Sequence, residues 1–262
     1  MGKTPGAEMP FLDHLEELRW RIAYSLIAVA VAFGASFFLV MEFDVIGILE
    51  QPIQPYLQGK SLVYTSPGDP FRIVMTTSLT LALALALPVI IYQVWAFLSP
   101  ALYQHEKRVV LPVLFGALFL FFGGASVAYF YALPFTLKFL LGFGSESLEA
   151  MITVSAYYDF ALSLCMTFGA VFELPIVLVA LTALGVVTPM FLRKFRRHAF
   201  VLCAVGSALI TPGDLITSTV MLIVPLYGLY ELSIVLSSMV YRRRLRREQE
   251  AELAEQGIGS TA

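Results

Sequence analysis

Long runs of apolar residues, separated by short polar segments, dominate the pattern of this chain. Most of these runs are long enough to cross the hydrocarbon core of a bilayer, about 30 Å thick, as a helix. Because lipid offers backbone groups no water to bond, such runs predict helices. Six transmembrane helices are predicted, at about 22–41, 72–98, 110–134, 155–185, 197–211 and 215–239.

The fifth apolar segment is shorter than the others. Its fifteen residues extend to about 22 Å as a helix, less than the thickness of the hydrocarbon core. The bilayer beside it is therefore expected to be thin. The turn Thr211-Pro212-Gly213-Asp214 joins this segment to the sixth one, which predicts a helical hairpin.

Composition agrees with a polytopic membrane protein. Of 262 residues, 58% are hydrophobic and only 14% are charged, whereas soluble domains carry about 25% charged residues. The first twenty residues contain acids and no continuous apolar stretch, so no cleavable signal peptide is expected. The expected fold class is all-α, with a single membrane domain over residues 1–241.

Basic residues are concentrated on one side of the predicted spans. Only Lys60, Arg72 and Lys138 fall on the opposite side. The positive-inside rule then places both termini in the cytoplasm. The basic residues on the cytoplasmic side are Lys3, Arg19, Arg21, Lys107, Arg108, Arg193, Lys194, Arg196, Arg197, Arg242, Arg243, Arg244, Arg246 and Arg247.

The first outer segment and the tail have their own patterns. Residues 42–71 carry apolar residues at near-helical spacing, interrupted by prolines such as Pro52, which predicts a short helix on the membrane surface. Asp69 followed by Pro70 predicts the N-cap of the second span. The tail 242–262 is basic and then acidic, and it is expected to be disordered.

An amphipathic stretch before the first span contains three acids within five residues, at Asp13, Glu16 and Glu17. In the simpler interpretation these acids complement the helix dipole, and Glu17 pairs with Arg21 at i, i+4. In the alternative interpretation they form an acidic surface for a basic ligand. The stretch alone leaves both interpretations open.

The segment between spans two and three ends in Gln104-His105-Glu106-Lys107-Arg108. No histidine follows at zinc-binding spacing, so a solvated loop with a capping glutamate is the simpler interpretation. The sequence contains no nucleotide-binding, dinucleotide-binding or hydrolase motif. Neither a cofactor nor a metal site nor an enzymatic activity is therefore expected.

Glu173 is a carboxylate within the fourth apolar run. A charged side chain at mid-bilayer depth costs roughly 2.5–3.5 kcal/mol. Pro175, just after it, removes a backbone donor and predicts a kink. Three roles are open for Glu173: a protonated acid satisfied within its own bundle, a contact with a partner helix, or a proton relay.

Five motifs follow one another along the six predicted spans. They are His14-Leu15-Glu16-Glu17-Leu18-Arg19, Trp95-Ala96-Phe97-Leu98-Ser99-Pro100-Ala101-Leu102-Tyr103, Glu106-Lys107-Arg108, Phe172-Glu173-Leu174-Pro175 and Thr211-Pro212-Gly213-Asp214. In this order they resemble the TatC family, the core subunit of the twin-arginine protein translocase, and the resemblance covers about residues 9–241.

The resemblance implies a concave, glove-like bundle in the bacterial cytoplasmic membrane. It implies a receptor subunit that exports folded proteins, driven by the proton motive force. The ligands implied are twin-arginine signal peptides, bound by Glu17 and Glu106, since a guanidinium donates a planar fork to a carboxylate. The other residues implied for this site are His14, Arg19, Phe97, Lys107 and Arg108.

The resemblance also implies partners: single-span subunits of the TatA and TatB type near Glu173 and Pro175, and further copies of the chain itself. Its outer-face loops contain Pro52 and Asp214, and no nucleic acid is expected to bind. The alternative function is a proton-coupled small-solute transporter with Glu173 as coupling acid. Such carriers commonly contain internal repeats, and none is visible here.

Overall fold

A computed structural model describes residues 11–57, 59–98, 110–142, 151–183, 185–210 and 217–255. These residues form helices joined by short turns, and the predicted all-α class is confirmed. The helices are α1 (Phe11–Glu42), α2 (Val45–Glu50), α3 (Asp69–Leu98), α4 (Val110–Val127), α5 (Leu133–Gly142), α6 (Val154–Phe172), α7 (Leu174–Ala183), α8 (Pro189–Lys194), α9 (Arg196–Ile210) and α10 (Thr217–Glu255).

Within the described residues, five helical stretches are long and apolar enough to cross a membrane. They overlap the predicted spans one to four and six. The predicted fifth span is α9, whose fifteen residues make it as short as its sequence predicts. The five long stretches are Asp13–Glu42, Asp69–Phe97, Leu114–Gly142, Val154–Ala183 and Leu222–Arg242.

The chain divides into two compact units. The first unit comprises residues 1–45 and 74–118 and contains α1 with most of α3. The second unit comprises residues 46–73 and 119–262 and contains α5 to α10. The single membrane domain over residues 1–241 stays a prediction.

The hydrophobic core of the second unit lies on its predicted outer side. There, the surface helix predicted within 42–71 takes the form of α2 and a 3-10 turn, Gln54–Tyr56. Pro52 follows the end of α2, since proline has no N–H to donate into a helix. The core residues are Ile53, Ile73, Ala128, Ala132, Leu133, Leu137, Tyr157, Tyr158, Ala161, Leu164, Phe168 and Leu222.

Three tyrosine hydroxyls hold α2 against this core. The hydroxyls donate to three carbonyls of this six-residue helix. They fix α2 to α6 and to the π-helical turn Ala128–Ala132 that links α4 to α5. The bonds run from Tyr129 Oη to the Ile48 carbonyl at 2.5 Å, from Tyr157 Oη to the Leu49 carbonyl at 2.5 Å, and from Tyr158 Oη to the Ile46 carbonyl at 2.9 Å.

Two glycines allow α4 and α6 to approach closely. A Cβ atom on Gly124 would lie 2.6 Å from the carbonyl oxygen of Phe168, and one on Gly169 would lie 2.6 Å from the ring of Phe121. Small residues allow this kind of close helix contact in membranes. The contact fixes the end of α6, next to Glu173, against α4.

Asp69 does not cap α3, so that prediction is wrong. Asp69 is the first residue of the helix, and its side chain points back to the preceding loop. Its carboxylate accepts hydrogen bonds from the backbone N–H groups of Thr65 at 3.0 Å and Ser66 at 2.9 Å. The acid therefore closes the loop before the helix.

The prediction of disorder from residue 242 does not hold for residues 242–255, because α10 continues to Glu255. This part of the chain consists largely of good helix formers. Residues 256–262 lie outside the described residues.

The tyrosine bonds generate a stability prediction. Tyr157→Phe should lower the free energy of unfolding by about 1–3 kcal/mol, because the partly buried carbonyl of Leu49 loses its donor. Tyr131→Phe is the matched control, since Tyr131 is 63% exposed; it should change stability by less than about 0.5 kcal/mol. Denaturant unfolding in detergent measures both, and equal stability of the two variants would contradict the role of the bond.

Candidate functional site

The amino-terminal acids lie on the first turns of α1, where Glu17 and Arg21 form the predicted i, i+4 pair. The two side chains are 23% and 22% exposed. Arg21 Nε donates to Glu17 Oε1 at 2.9 Å, and Arg21 Nη2 donates to the same oxygen. The simpler interpretation of this stretch is thus confirmed in its geometry, and it leaves the other carboxylate oxygen unused.

Two contacts join this end of α1 to the end of α3. Arg21 Nη1 donates to Gln93 Oε1 at 3.3 Å. The ring of His14 stacks on that of Phe97, with centroids 4.3 Å apart and planes inclined by 12°. The structure therefore brings His14, Glu17 and Phe97 together, and it adds Gln93, which the sequence did not indicate. Their role in binding a signal peptide stays a prediction.

The second oxygen of Glu17 is available to a further donor. Oε2 is buried and accepts no hydrogen bond from the described part of the chain. His14 Nδ1 lies 3.6 Å away from it, slightly beyond hydrogen-bonding distance. An unsatisfied buried acceptor costs about 1–3 kcal/mol, so a ligand that donates a hydrogen bond to Oε2 would relieve that cost.

Arg19 does not join this cluster. Its side chain is exposed, and two residues turn a helix by roughly 200°, which puts Arg19 on the other side of α1 from Glu17. The remaining predicted residues of the cytoplasmic site and outer turn are outside the described ranges: Glu106, Lys107, Arg108 and Asp214.

Glu173 interrupts the fourth span, between the end of α6 at Phe172 and the start of α7 at Leu174. Pro175 is buried and cannot donate to the carbonyl one turn earlier, so the predicted break is confirmed. Both carboxylate oxygens of Glu173 are buried and have no hydrogen-bond partner among the described residues. The structure thus supplies no partner of its own bundle for this acid within the described ranges.

A further polar cluster, which sequence reasoning missed, joins α8 and α9 to α10. Arg196 Nη2 donates to Glu231 Oε2 at 2.6 Å, and Tyr227 Oη donates to Glu231 Oε1 at 3.0 Å. Tyr230 Oη donates to the carbonyl of Leu192 at 2.7 Å. Glu231 is the one acid in the sixth apolar run, and an isolated acid in such a run is the sequence signal by which it could have been found.

The comparisons with known proteins agree with one another. The family described as Sec-independent protein translocase protein (TatC) matches residues 13–225. The TatC protein of Aquifex aeolicus (strain VF5) is 41% identical over 238 residues, which cover 90% of this chain and 98% of that protein. The TatC protein of Escherichia coli (strain K12) is 35% identical over 241 residues, covering 92% of each.

A solved structure shows the same fold. The crystal structure of the twin arginine translocase receptor TatC is similar with a TM-score of 0.71 at 41% sequence identity. The alignment covers 87% of this chain and 99% of that one. The chain therefore belongs to the TatC family of Sec-independent protein translocase proteins.

Proposed function

We propose that this chain is the receptor and core subunit of a twin-arginine translocase, which exports folded proteins across the bacterial cytoplasmic membrane. Family membership supports the role in protein translocation. The observation that carries the binding step is the Glu17 carboxylate, which holds one guanidinium through Oε1, while its buried Oε2 accepts no hydrogen bond from the described residues. The proposed driving force is the proton motive force, as membership of this family implies; the sequence contains no nucleotide-binding motif that would supply another.

The chemistry of Glu17 suits an arginine of a signal peptide. Arg21 already demonstrates that the carboxylate accepts a guanidinium, through both Nε and Nη2. A second guanidinium reaches Oε2 from outside, and Glu106 on the next cytoplasmic loop accepts the neighbouring arginine. Planar, bidentate donors fit such carboxylates better than the ammonium of lysine does, which accounts for selection of an arginine pair.

Glu173 is the proposed contact for a single-span partner subunit of the TatA or TatB type. A protonated carboxyl inside a membrane both donates and accepts hydrogen bonds. Because neither oxygen has a partner among the described residues, a polar group on a neighbouring helix would satisfy it. Bonds of this kind between membrane helices contribute up to about 1–2 kcal/mol.

The short α9 supports a local thinning of the bilayer. Its fifteen residues extend to about 22 Å. Its first residue, Arg196, pairs with Glu231 in α10, and from Thr217 to Glu231 α10 extends to about 21 Å. Along both helices, the distance from the outer turn to the Arg196–Glu231 pair is thus shorter than the thickness of the hydrocarbon core, about 30 Å. The bilayer beside these two helices therefore has to be thinner. 

A proton-coupled solute carrier is the less favoured function. It needs Glu173 to exchange protons with both sides of the membrane, and the fourth apolar run contains only one other acid, Asp159, near its start. The family comparisons point to translocation instead.

Removal of the arginine-binding acids should weaken signal-peptide binding. Glu17→Ala should lower the affinity for a twin-arginine peptide about 10–100-fold, the effect of one charge-assisted hydrogen bond. The same loss is expected for Glu106→Ala. Photo-crosslinking of a labelled peptide to membranes measures it. Glu16→Ala is the matched control, because Glu16 is exposed, and unchanged crosslinking in the Glu17/Glu106 double variant would disprove the assignment.

Changes at Glu173 should separate partner assembly from peptide binding. Glu173→Ala should leave crosslinking of the signal peptide unchanged but reduce co-purification of the single-span subunits and export. Glu173→Gln should be milder, because an amide keeps hydrogen bonding. If glutamine were as damaging as alanine, the hydrogen-bonding role would be wrong and a titrating role would replace it.

Lengthening α9 should impair export. An insertion of about one turn, four leucines, restores a normal span length and removes the local thinning, while membrane insertion of the protein persists. The matched control carries the same four leucines after Gln249, in the exposed end of α10. Export assays compare the two variants. Normal export by the variant with the lengthened α9 would contradict a role for local thinning of the bilayer.

A further inference from the structure

The turn between the fourth and fifth spans carries an unusual mixture of exposed cations and exposed aromatic rings. We propose that this surface binds the phosphate of anionic phospholipid headgroups. We name it the ledge, and it consists of Met190, Phe191, Arg193, Lys194, Phe195 and Arg197. The proposal goes beyond signal recognition and requires only that α7 and α9 belong to membrane spans.

The backbone of the ledge is held rigidly. Thr188 Oγ1 accepts a hydrogen bond from the Phe191 N–H at 3.2 Å and so caps α8. Pro189 and Leu192 are buried, and the carbonyl of Leu192 accepts the Tyr230 hydroxyl at 2.7 Å. With these groups turned inward, the charged residues of the short helix face outward.

The cations of the ledge are available to a ligand. The side chains of Arg193, Lys194 and Arg197 are exposed, and none of them forms an ion pair with an acid in the described ranges. Arg196, by contrast, is paired with Glu231 at 2.6 Å. The ledge therefore carries several unpaired positive charges, with one neighbouring acid that is already neutralised by Arg196.

Aromatic and apolar side chains lie next to these charges. Phe191 stacks on Phe195 with ring centroids 5.4 Å apart, and Phe195 stacks on His198 at 4.6 Å. Met190 is 81% exposed and Phe191 is 53% exposed. Cations that reach phosphates beside rings that contact acyl chains are the pattern of a membrane interface, whereas an acidic soluble protein would leave the apolar side chains without a partner.

The level of the ledge also favours a lipid. The pair of Arg196 with Glu231 ties it to α10, eleven residues before Arg242, and thus about 16 Å along that helix. Helix α10 continues beyond it to Glu255. The ledge therefore lies nearer to the membrane centre than Arg242 does. A lipid headgroup reaches this depth because α9 is short and begins next to the ledge, so the membrane surface lies at the depth of that helix end.

The test compares two double variants of the full-length protein that remove equal charge: Arg193→Gln with Lys194→Gln in the ledge, and Arg242→Gln with Arg246→Gln in α10 as control. Native mass spectrometry counts the phosphatidylglycerol and phosphatidylcholine molecules that each protein retains from mixed micelles. Each basic residue near an anionic surface contributes about fivefold in affinity. The ledge variant should therefore retain phosphatidylglycerol about 25-fold more weakly, and the control should match the unchanged protein.

Several outcomes would overturn the proposal. They are an equal loss in both double variants, retention of phosphatidylcholine as strong as that of phosphatidylglycerol, or loss of binding to an acidic peptide with lipid retention unchanged. Only folded, monodisperse protein is counted in the spectra, which separates loss of binding from misfolding. A second variant, Phe191→Ser, should weaken retention of both lipids alike. Signal-peptide crosslinking, which depends on Glu17, is unaffected by either result.

Discussion

The hydrocarbon core contains no water, and every polar group of this chain that enters it needs a partner from the protein. Most hydroxyls in the spans meet this requirement locally, by donating to the carbonyl four residues earlier in their own helix. The tyrosines of the second unit meet it over longer distances, by donating to the carbonyls of α2. The hydroxyls that bond in this way within the described residues include those of Ser25, Thr80, Ser126, Thr136, Thr182, Ser207, Ser233 and Ser238.

The two acids proposed to act in transport do not meet this requirement within the described residues. Glu17 keeps one buried oxygen without a donor there, and Glu173 keeps two. Buried hydroxyls such as those of Ser36, Thr77, Ser78 and Ser237 share this lack of a partner, but a neutral hydroxyl costs less to leave unpaired than a carboxylate does. The surrounding structure offsets the free-energy cost of the unpaired carboxylate oxygens. Arg21 holds Glu17 in place. The close packing of Gly124 against Phe172 fixes the helix end next to Glu173. An unsatisfied acid in a rigid setting is a binding site for whatever supplies the missing donor.

Local chemistry decided which features could be predicted from the sequence. The spans follow from apolar length, the break at Glu173 follows from Pro175, and the pair of Glu17 with Arg21 follows from helical spacing. The structure adds what depends on distant packing, such as the Arg196–Glu231 pair across 35 positions of sequence. Helix α8, with six residues, is too short to show a period. Asp69 was misassigned because a carboxylate at this position can accept the N–H groups of the helix that follows or those of the loop that precedes it, and the sequence does not distinguish the two.

The pairing of Glu17 with Arg21 makes the proposed recognition of arginine an addition to a carboxylate that is already occupied. Because Arg21 neutralises much of the charge on Glu17, a guanidinium arriving at Oε2 gains less attraction than a bare carboxylate would give, and Arg21 repels it. A small net gain gives modest affinity and rapid reversal. When the cargo leaves, Arg21 still holds the acid, so Glu17 is never left as an unpaired charge.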